Sequence, residues 1–105
     1  MILTTIDDIP GRSIVETLGL VRGSSVRAVH AGHDVMAKLK NFVGGELTEY
    51  TKLLAEAREQ ALDRMTAEAR ARGASAVVGV RFSSSDITDD AAEVLAYGTA
   101  VRLEG

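Results

Sequence analysis

The sequence has 105 residues and a formal net charge of −3, with 46% hydrophobic and 26% charged residues. This length and composition predict one folded domain spanning 1–105. The negative balance argues against nucleic acid as a partner, because phosphate binding needs a positive footprint. The absence of cysteine excludes disulfides and thiolate metal sites.

The N-terminal segment "MILTTI" predicts a short strand that ends at the turn signal "DDIPG", residues 7–11. It has neither the basic start nor the long apolar run of a signal peptide. No segment approaches the ~20 apolar residues of a membrane span. We therefore expect a cytoplasmic protein without membrane contact.

The next two elements are less regular. The stretch "SIVETLGLV", residues 13–21, is rich in β-branched residues and predicts a second strand. Residues 23–34 are ambiguous, with small and polar residues ahead of a short apolar run. From Asp34, "DVMAKLKNFV" predicts a short amphipathic helix with Asp34 as its N-cap.

A long helix is the clearest prediction. Residues 46–72 contain no glycine or proline and are dominated by good helix formers. Apolar side chains recur there at three- and four-residue steps: Leu47, Tyr50, Leu54, Ala57, Ala61 and Met65. Glutamates in the first turns and arginines in the last suit the helix dipole, and Gly73 supplies the stop.

Two strands, residues 75–83 and 93–103, are predicted to close the chain as a hairpin around the polar loop "SSDITDDAA". Simple alternation places Ala76, Val78, Val80 and Phe82 on one face of the first strand. On the last strand neither face is plainly polar.

These patterns predict an α+β fold in which a small antiparallel sheet packs with one long helix. A sheet with one solvated face shows a clean alternation of apolar and polar residues, which is missing here. One helix covers one face, and little chain remains for the other. We therefore expect the second face to be buried against copies of the same chain, in a homo-oligomer.

The paired Gly44 and Gly45 before the long helix raise the question of a phosphate cradle. Glu46 and Glu49 follow at once, and their charge competes with an anion for the helix N-terminus. The glycines are better explained as a bend between two helices.

Metal binding has one candidate motif, "HAGHD", which contains His30, His33 and Asp34. Two imidazoles and a carboxylate are familiar metal ligands, although Gly32 disfavours a helical placement. The alternative is a solvated turn in which Asp34 caps the next helix. The acidic residues of the hairpin, Asp86, Asp89, Asp90 and Glu93, match no EF-hand spacing and fit a solvated loop.

Catalysis has little support in the sequence. No GxSxG elbow surrounds the serines. A catalytic acid and base could be drawn from Glu46, Glu93 and the histidines, so a hydrolase is a third alternative. We predict that the protein is not an enzyme.

Four blocks of the sequence stand out: "LGLVRGSSVRA", "NFVGGELTEYTKLLAEAREQALDRM", "EARARGASAVVGVRF" and "AEVLAYGTAVRL". Together they closely resemble the YbjQ-like family. That family carries a heavy-metal-binding label. The resemblance runs from about Gly11 to Leu103. It implies a dodecin-like subunit that assembles into a pentameric ring, and a metal ion as the cofactor to consider. It transfers no catalytic residue to this chain.

The sequence therefore predicts a cytosolic, non-enzymatic homo-oligomer. The alternative is an oligomer that binds a small ligand or heavy metal in an inter-subunit cleft or channel. Candidate ligand-binding residues are the polar groups of the family blocks that a ring would bring together: Glu46, Tyr50, Glu93 and Tyr97.

Overall fold

The computed structural model of the chain describes residues 1–28, 48–88 and 91–105. The elements in these ranges are β1 (Ile2–Leu3), β2 (Ile14–Ala28), α1 (Thr48–Ala71), β3 (Ala76–Thr88) and β4 (Ala91–Leu103). The strands form a four-stranded sheet in the order β1-β3-β4-β2, and α1 packs mainly over β2. The predicted α+β fold, a small sheet with one long helix, is confirmed.

The sheet is mixed, so the prediction of an antiparallel sheet holds for β2, β3 and β4 but not for β1. β4 pairs antiparallel with both β2 and β3, but β1 runs parallel to β3, with Ile2 opposite Ala76. The chain after β1 continues this pairing, since the amide of Val80 donates to the carbonyl of Thr4 at 3.0 Å. Side-chain alternation has the same period in both strand directions, so the pattern alone could not reveal the parallel pair.

The β3–β4 hairpin is longer than predicted. Its strands extend to Thr88 and back from Ala91, so most of the predicted loop over 84–92 is strand. Ser84 pairs with Val94 and Asp86 with Ala92. These polar residues are exposed in the strand. Because a solvated strand tolerates polar side chains, their polarity was misread as a loop signal.

A bulge in β3 changes which side chains face the helix. The register shifts between Val78 and Arg81, where Gly79 has a φ of 62°. As a result Val80 joins the core beneath α1, while Val78 belongs to a cluster on the other side. The prediction that simple alternation keeps both valines on one face was therefore wrong, because a bulge inserts an extra residue.

Strand β2 continues past the predicted end at residue 21 and passes through two glycines. At Gly23 the helix lies against the strand. A Cβ built there would overlap the backbone nitrogen of Met65 and the carbonyl oxygen of Ala61. Only glycine allows this close approach.

Helix α1 ends as predicted. Gly73 has a φ of 80°, its amide donates to the carbonyl of Arg70 at 2.9 Å, and the amide of Ala74 donates to that of Ala69 at 3.1 Å. This pair of bonds is a Schellman motif, which confirms the C′ glycine. The first predicted residues of this helix, and the predicted helix from Asp34 to Val43, lie outside the described residues.

Two apolar clusters occupy opposite sides of the sheet. The larger cluster lies between α1 and the sheet, and small residues dominate it: Val21, Ala57, Ala61, Met65, Ala69, Val77, Val80, Val94, Ala96 and Ala100. The smaller cluster, on the other side, joins Ala76, Val78, Val101 and Leu103 to Ile9 and Ile14. Within the described ranges, no helix is long and apolar enough to cross a membrane.

Candidate functional site: the open sheet face

The side of the sheet away from α1, called the open face below, is defined by the strand register. Side chains at paired positions point to the same side, and that side alternates along each strand. The open face therefore carries Leu20, Arg22, Ser24 and Val26 of β2 and Glu93, Leu95, Tyr97 and Thr99 of β4.

Apolar side chains of the open face are left uncovered by the described residues. Leu20 is 57% exposed and Val26 is 54% exposed, while Leu95 and Tyr97 are half-buried. The part of the chain that the structure describes covers the end near Leu103, through the cluster that includes Ile9 and Ile14. Large apolar side chains exposed on one face of a sheet commonly mark a contact site.

Tyr97 occupies the centre of a charged row on this face. Its cross-strand partners are Arg22 on one side and Arg81 on the other. The guanidinium of Arg81 is anchored, because its Nη1 donates to the carbonyls of Thr5 and Val80 at 2.8 Å each. Arg22 is exposed at the outer strand. Tyrosine and arginine are the residue types enriched in protein interfaces.

A cleft of about 480 Å³ opens beside this row; it is lined by Arg22, Gly23, Ser24, Glu68, Glu93 and Leu95. Both oxygens of Glu68 are engaged. Oε2 accepts from the amide of Arg22 at 3.2 Å, and Oε1 accepts from Nη2 of Arg72 at 2.8 Å. Among the described residues, Arg22 and Glu93 are therefore the ionic side chains of the cleft that remain for a ligand or a partner chain.

The structure places two of the four predicted ligand residues on one surface. Glu93 and Tyr97 share the open face, with Leu95 between them. Tyr50 belongs to α1, but its side chain and all of Glu46 lie outside the described residues. That Glu46 and Tyr50 meet Glu93 and Tyr97 stays a prediction.

The described residues do not supply a heavy-metal site. Residues 1–28, 48–88 and 91–105 contain no group of three or more His, Cys, Asp or Glu arranged to hold a metal ion. The candidate ligands His30, His33 and Asp34 lie outside these ranges. Asp86 and Glu93 point to opposite sides, because Asp86 pairs with Ala92, the neighbour of Glu93.

The sequence analysis missed Arg22, Leu20 and Val26 as members of this surface. Period-two alternation applied from Leu20 onward would have found them, since Leu20, Arg22 and Val26 lie an even number of positions apart. The engagement of Glu68 has no comparable signal, because it depends on where the helix crosses the strand.

The fold and this surface define a class of small α+β domains, in which the described residues close one sheet face with a helix and leave the other face open. A family model described as "Putative heavy-metal-binding", that of YbjQ, matches residues 1–104. The chain belongs to this YbjQ-like family.

Relatives named UPF0145 protein resemble it over nearly its whole length. The one from Hahella chejuensis is 55% identical over 99% of this chain and 100% of its own. That from Methanosarcina acetivorans is 54% identical over 98% and 97%, and that from Archaeoglobus fulgidus is 55% identical over 98% and 95%.

A crystal structure from Pediococcus pentosaceus supports the fold. That protein, described as of unknown function and as a member of the DUF74 family, superposes with a TM-score of 0.68 at 14% identity. The match covers 99% of this chain and 98% of the other. At this identity the likeness concerns the fold alone.

Proposed function

We propose that the protein is a cytosolic, non-enzymatic module that works as a homo-oligomer, with the open face as the contact between its subunits. The observation that carries this proposal is the exposure of Leu20 and Val26 on a sheet whose other side is already closed by α1. Burial of such side chains is worth about 25 cal/mol per Å² of apolar surface, which favours association.

The composition of the open face supports self-association. Tyr97 and Leu95 form an apolar centre, while Arg22 and Glu93 at the cleft carry opposite charges. A face with an apolar centre and both charges is suited to contact with another copy of the chain. We propose a ring, in which the open face of each subunit packs on a different patch of the next subunit. The YbjQ-like resemblance implies a pentamer.

The non-enzymatic part of the proposal rests on how the buried hydroxyl is used. Ser25, which is fully buried, donates from Oγ to Oε1 of Gln60 at 2.8 Å. An amide oxygen is not a base that activates a nucleophile. This pair instead joins β2 to α1.

The test compares two variants that gain the same charge on different surfaces. Leu20→Glu places a carboxylate on the open face, and Ala67→Glu places one on an exposed position of α1. Light scattering and native mass spectrometry should give a multiple of the single-chain mass for the wild type and for Ala67→Glu. Leu20→Glu should shift the mass toward a single chain. A wild type that is a single chain at micromolar concentration refutes the proposal.

The second candidate, favoured by the family's description, is an oligomer that binds a heavy metal or small ligand at a subunit boundary. His30, His33 and Asp34 are the proposed metal ligands; Glu46, Tyr50, Glu93 and Tyr97 are the proposed ligand-binding groups. Dialysis against Zn²⁺ or Cu²⁺, followed by elemental analysis, should give stoichiometric metal that His30→Ala/His33→Ala loses. Sub-stoichiometric metal at every pH excludes the metal site.

A further inference from the structure

The outer edge of β2 carries an unusual set of contacts. β2 ends the strand order, so within residues 1–28, 48–88 and 91–105 the backbone groups on its side away from β4 have no strand partner. Such an edge is a template on which a strand of another molecule can pair. The question is what these groups bind in this chain.

Three charged side chains of the helix bind them; they are Arg64, Glu68 and Arg72, named here the edge clamp. Nη1 of Arg72 donates to the carbonyls of Leu18 and Leu20 at 3.2 and 2.9 Å. Oε2 of Glu68 accepts from the amide of Arg22 at 3.2 Å.

Nη1 of Arg64 completes the edge clamp by donating to the carbonyl of Ser24 at 2.6 Å. The bound groups therefore belong to every second residue of the strand from 18 to 24. These are the positions through which an added strand would pair.

The spacing explains why one helix can follow a strand edge in this way. Four residues of helix rise about 6 Å, and two residues of strand advance about 6.7 Å. A side chain at every fourth helical position therefore meets the backbone at every second strand position. Glu68 and Arg72 also bind each other at 2.8 Å, which holds two clamp members in place.

The chemistry of the edge clamp matches each backbone group. Guanidinium donors meet carbonyl oxygens, and the carboxylate meets an amide. Charge-assisted bonds of this kind are stronger than bonds between neutral groups. The edge clamp therefore binds outward-facing backbone groups of β2, as a neighbouring strand would.

We infer that the edge clamp blocks the pairing of β2 with β2 of a second copy of this chain, and so excludes this edge from assembly. The partner excluded is the same chain, because removing the clamp exposes equal, self-complementary edges on two copies. Antiparallel pairing of two such edges satisfies both at once. The inference does not depend on the proposed oligomer, since a single chain carries the same edge.

The first test removes the donors and keeps a matched control. Arg64→Ala/Arg72→Ala opens the edge, whereas Arg58→Ala/Arg70→Ala changes two exposed arginines of the same helix outside the clamp. Edge pairing would join two copies of whatever the wild type forms, a single chain or an oligomer. We therefore expect the first variant to show about twice the wild-type mass or more by light scattering, rising with concentration. The control should keep the wild-type mass. Equal masses for a folded clamp variant and the control overturn the inference.

A second measurement works even where the double variant fails to fold. In the wild type, the Arg22 amide should be protected from hydrogen exchange by Glu68. At a dilution where chains do not pair, Glu68→Ala should speed its exchange about tenfold, while Glu59→Ala on the exposed side of α1 leaves it unchanged. Rapid Arg22 exchange in the wild type overturns the inference. Failure of the proposed oligomer is distinguishable: it would leave Leu20→Glu with the same mass as the wild type, whereas the clamp variant would still exceed the mass of its control.

Discussion

The same strands form both faces of the sheet, but the residues beneath α1 are small and those on the open face are large. The helix can therefore lie closer to its face than another molecule can to the open face. On the helix side, Gly23 and Ser25 of β2 and Ala96 and Gly98 of β4 are fully or almost fully buried, and α1 meets them with alanines. On the open face the alternate positions carry Leu20, Val26 and Tyr97.

This difference separates the two roles of the sheet. The helix side holds the chain together through small residues and short approach distances, so it tolerates no added atoms. The open face keeps larger side chains within reach of other molecules, so substitutions there should have little effect on folding.

The largest expected effect is at Gly23. Gly23→Ala places a methyl group against the backbone of Met65 and Ala61, which cannot rotate away as a side-chain end can. We expect the free energy of unfolding to fall by about 3 kcal/mol, at the upper end of overpacking costs. Urea denaturation followed by circular dichroism measures it.

Gly73→Ala is the control for this prediction. Its φ of 80° strains any other residue, but nothing lies within 4 Å of an added Cβ. The expected loss is about 1 kcal/mol, from backbone strain alone. A loss at Gly23 no larger than this would mean that the helix is not packed against the strand.

A smaller effect is expected at Ser25, which links β2 to Gln60 of the helix. Ser25→Ala removes a buried hydrogen bond and should lower the free energy of unfolding by about 1 kcal/mol. Ser25 and Ser84 both pair with Val94 of β4, so Ser84 is the matched position on β3, and its side chain is exposed. Ser84→Ala should change the free energy of unfolding by no more than about 0.5 kcal/mol. An equal loss at both serines would contradict the conclusion that α1 buries this row of residues at β2 but leaves it exposed at β3.

The smallest effect on folding is expected at Leu20. At a dilution where chains are separate, Leu20→Ala should change the free energy of unfolding by no more than about 0.5 kcal/mol. At high concentration the same variant should melt below the wild type, because assembly stabilises the folded chain by mass action. A loss at dilution as large as that of Gly23→Ala would break the comparison, since it would place Leu20 in the chain's own core.

Much of the secondary structure was predictable from local patterns. Residues 46–72 lack helix breakers, and Gly73 stops the helix by a local conformational rule, so α1 and its end were correctly expected. The two C-terminal strands and their antiparallel pairing were also correct. The parallel β1, the bulge at Gly79 and the length of the hairpin were not, because each is decided by a neighbouring strand.

The candidate site was predictable only in part. Period-two alternation is enough to place Glu93 and Tyr97 on one side of β4. It could not show that Arg22 lies opposite Tyr97, or that Glu68 reaches the edge of β2, because these depend on register and on helix placement. Their roles in binding, like those of His30 and His33, stay predictions.

The sequence by itself determined the family, the long helix with its glycine stop, and a last strand on which neither side is plainly polar. These features follow from local backbone preferences and side-chain periodicity, which act over a few residues. The tertiary structure alone decided which side α1 covers and which edge it clamps. Those outcomes depend on contacts such as that between Arg72 and Leu18, 54 residues apart, whose geometry exists only once the helix has docked on the strand.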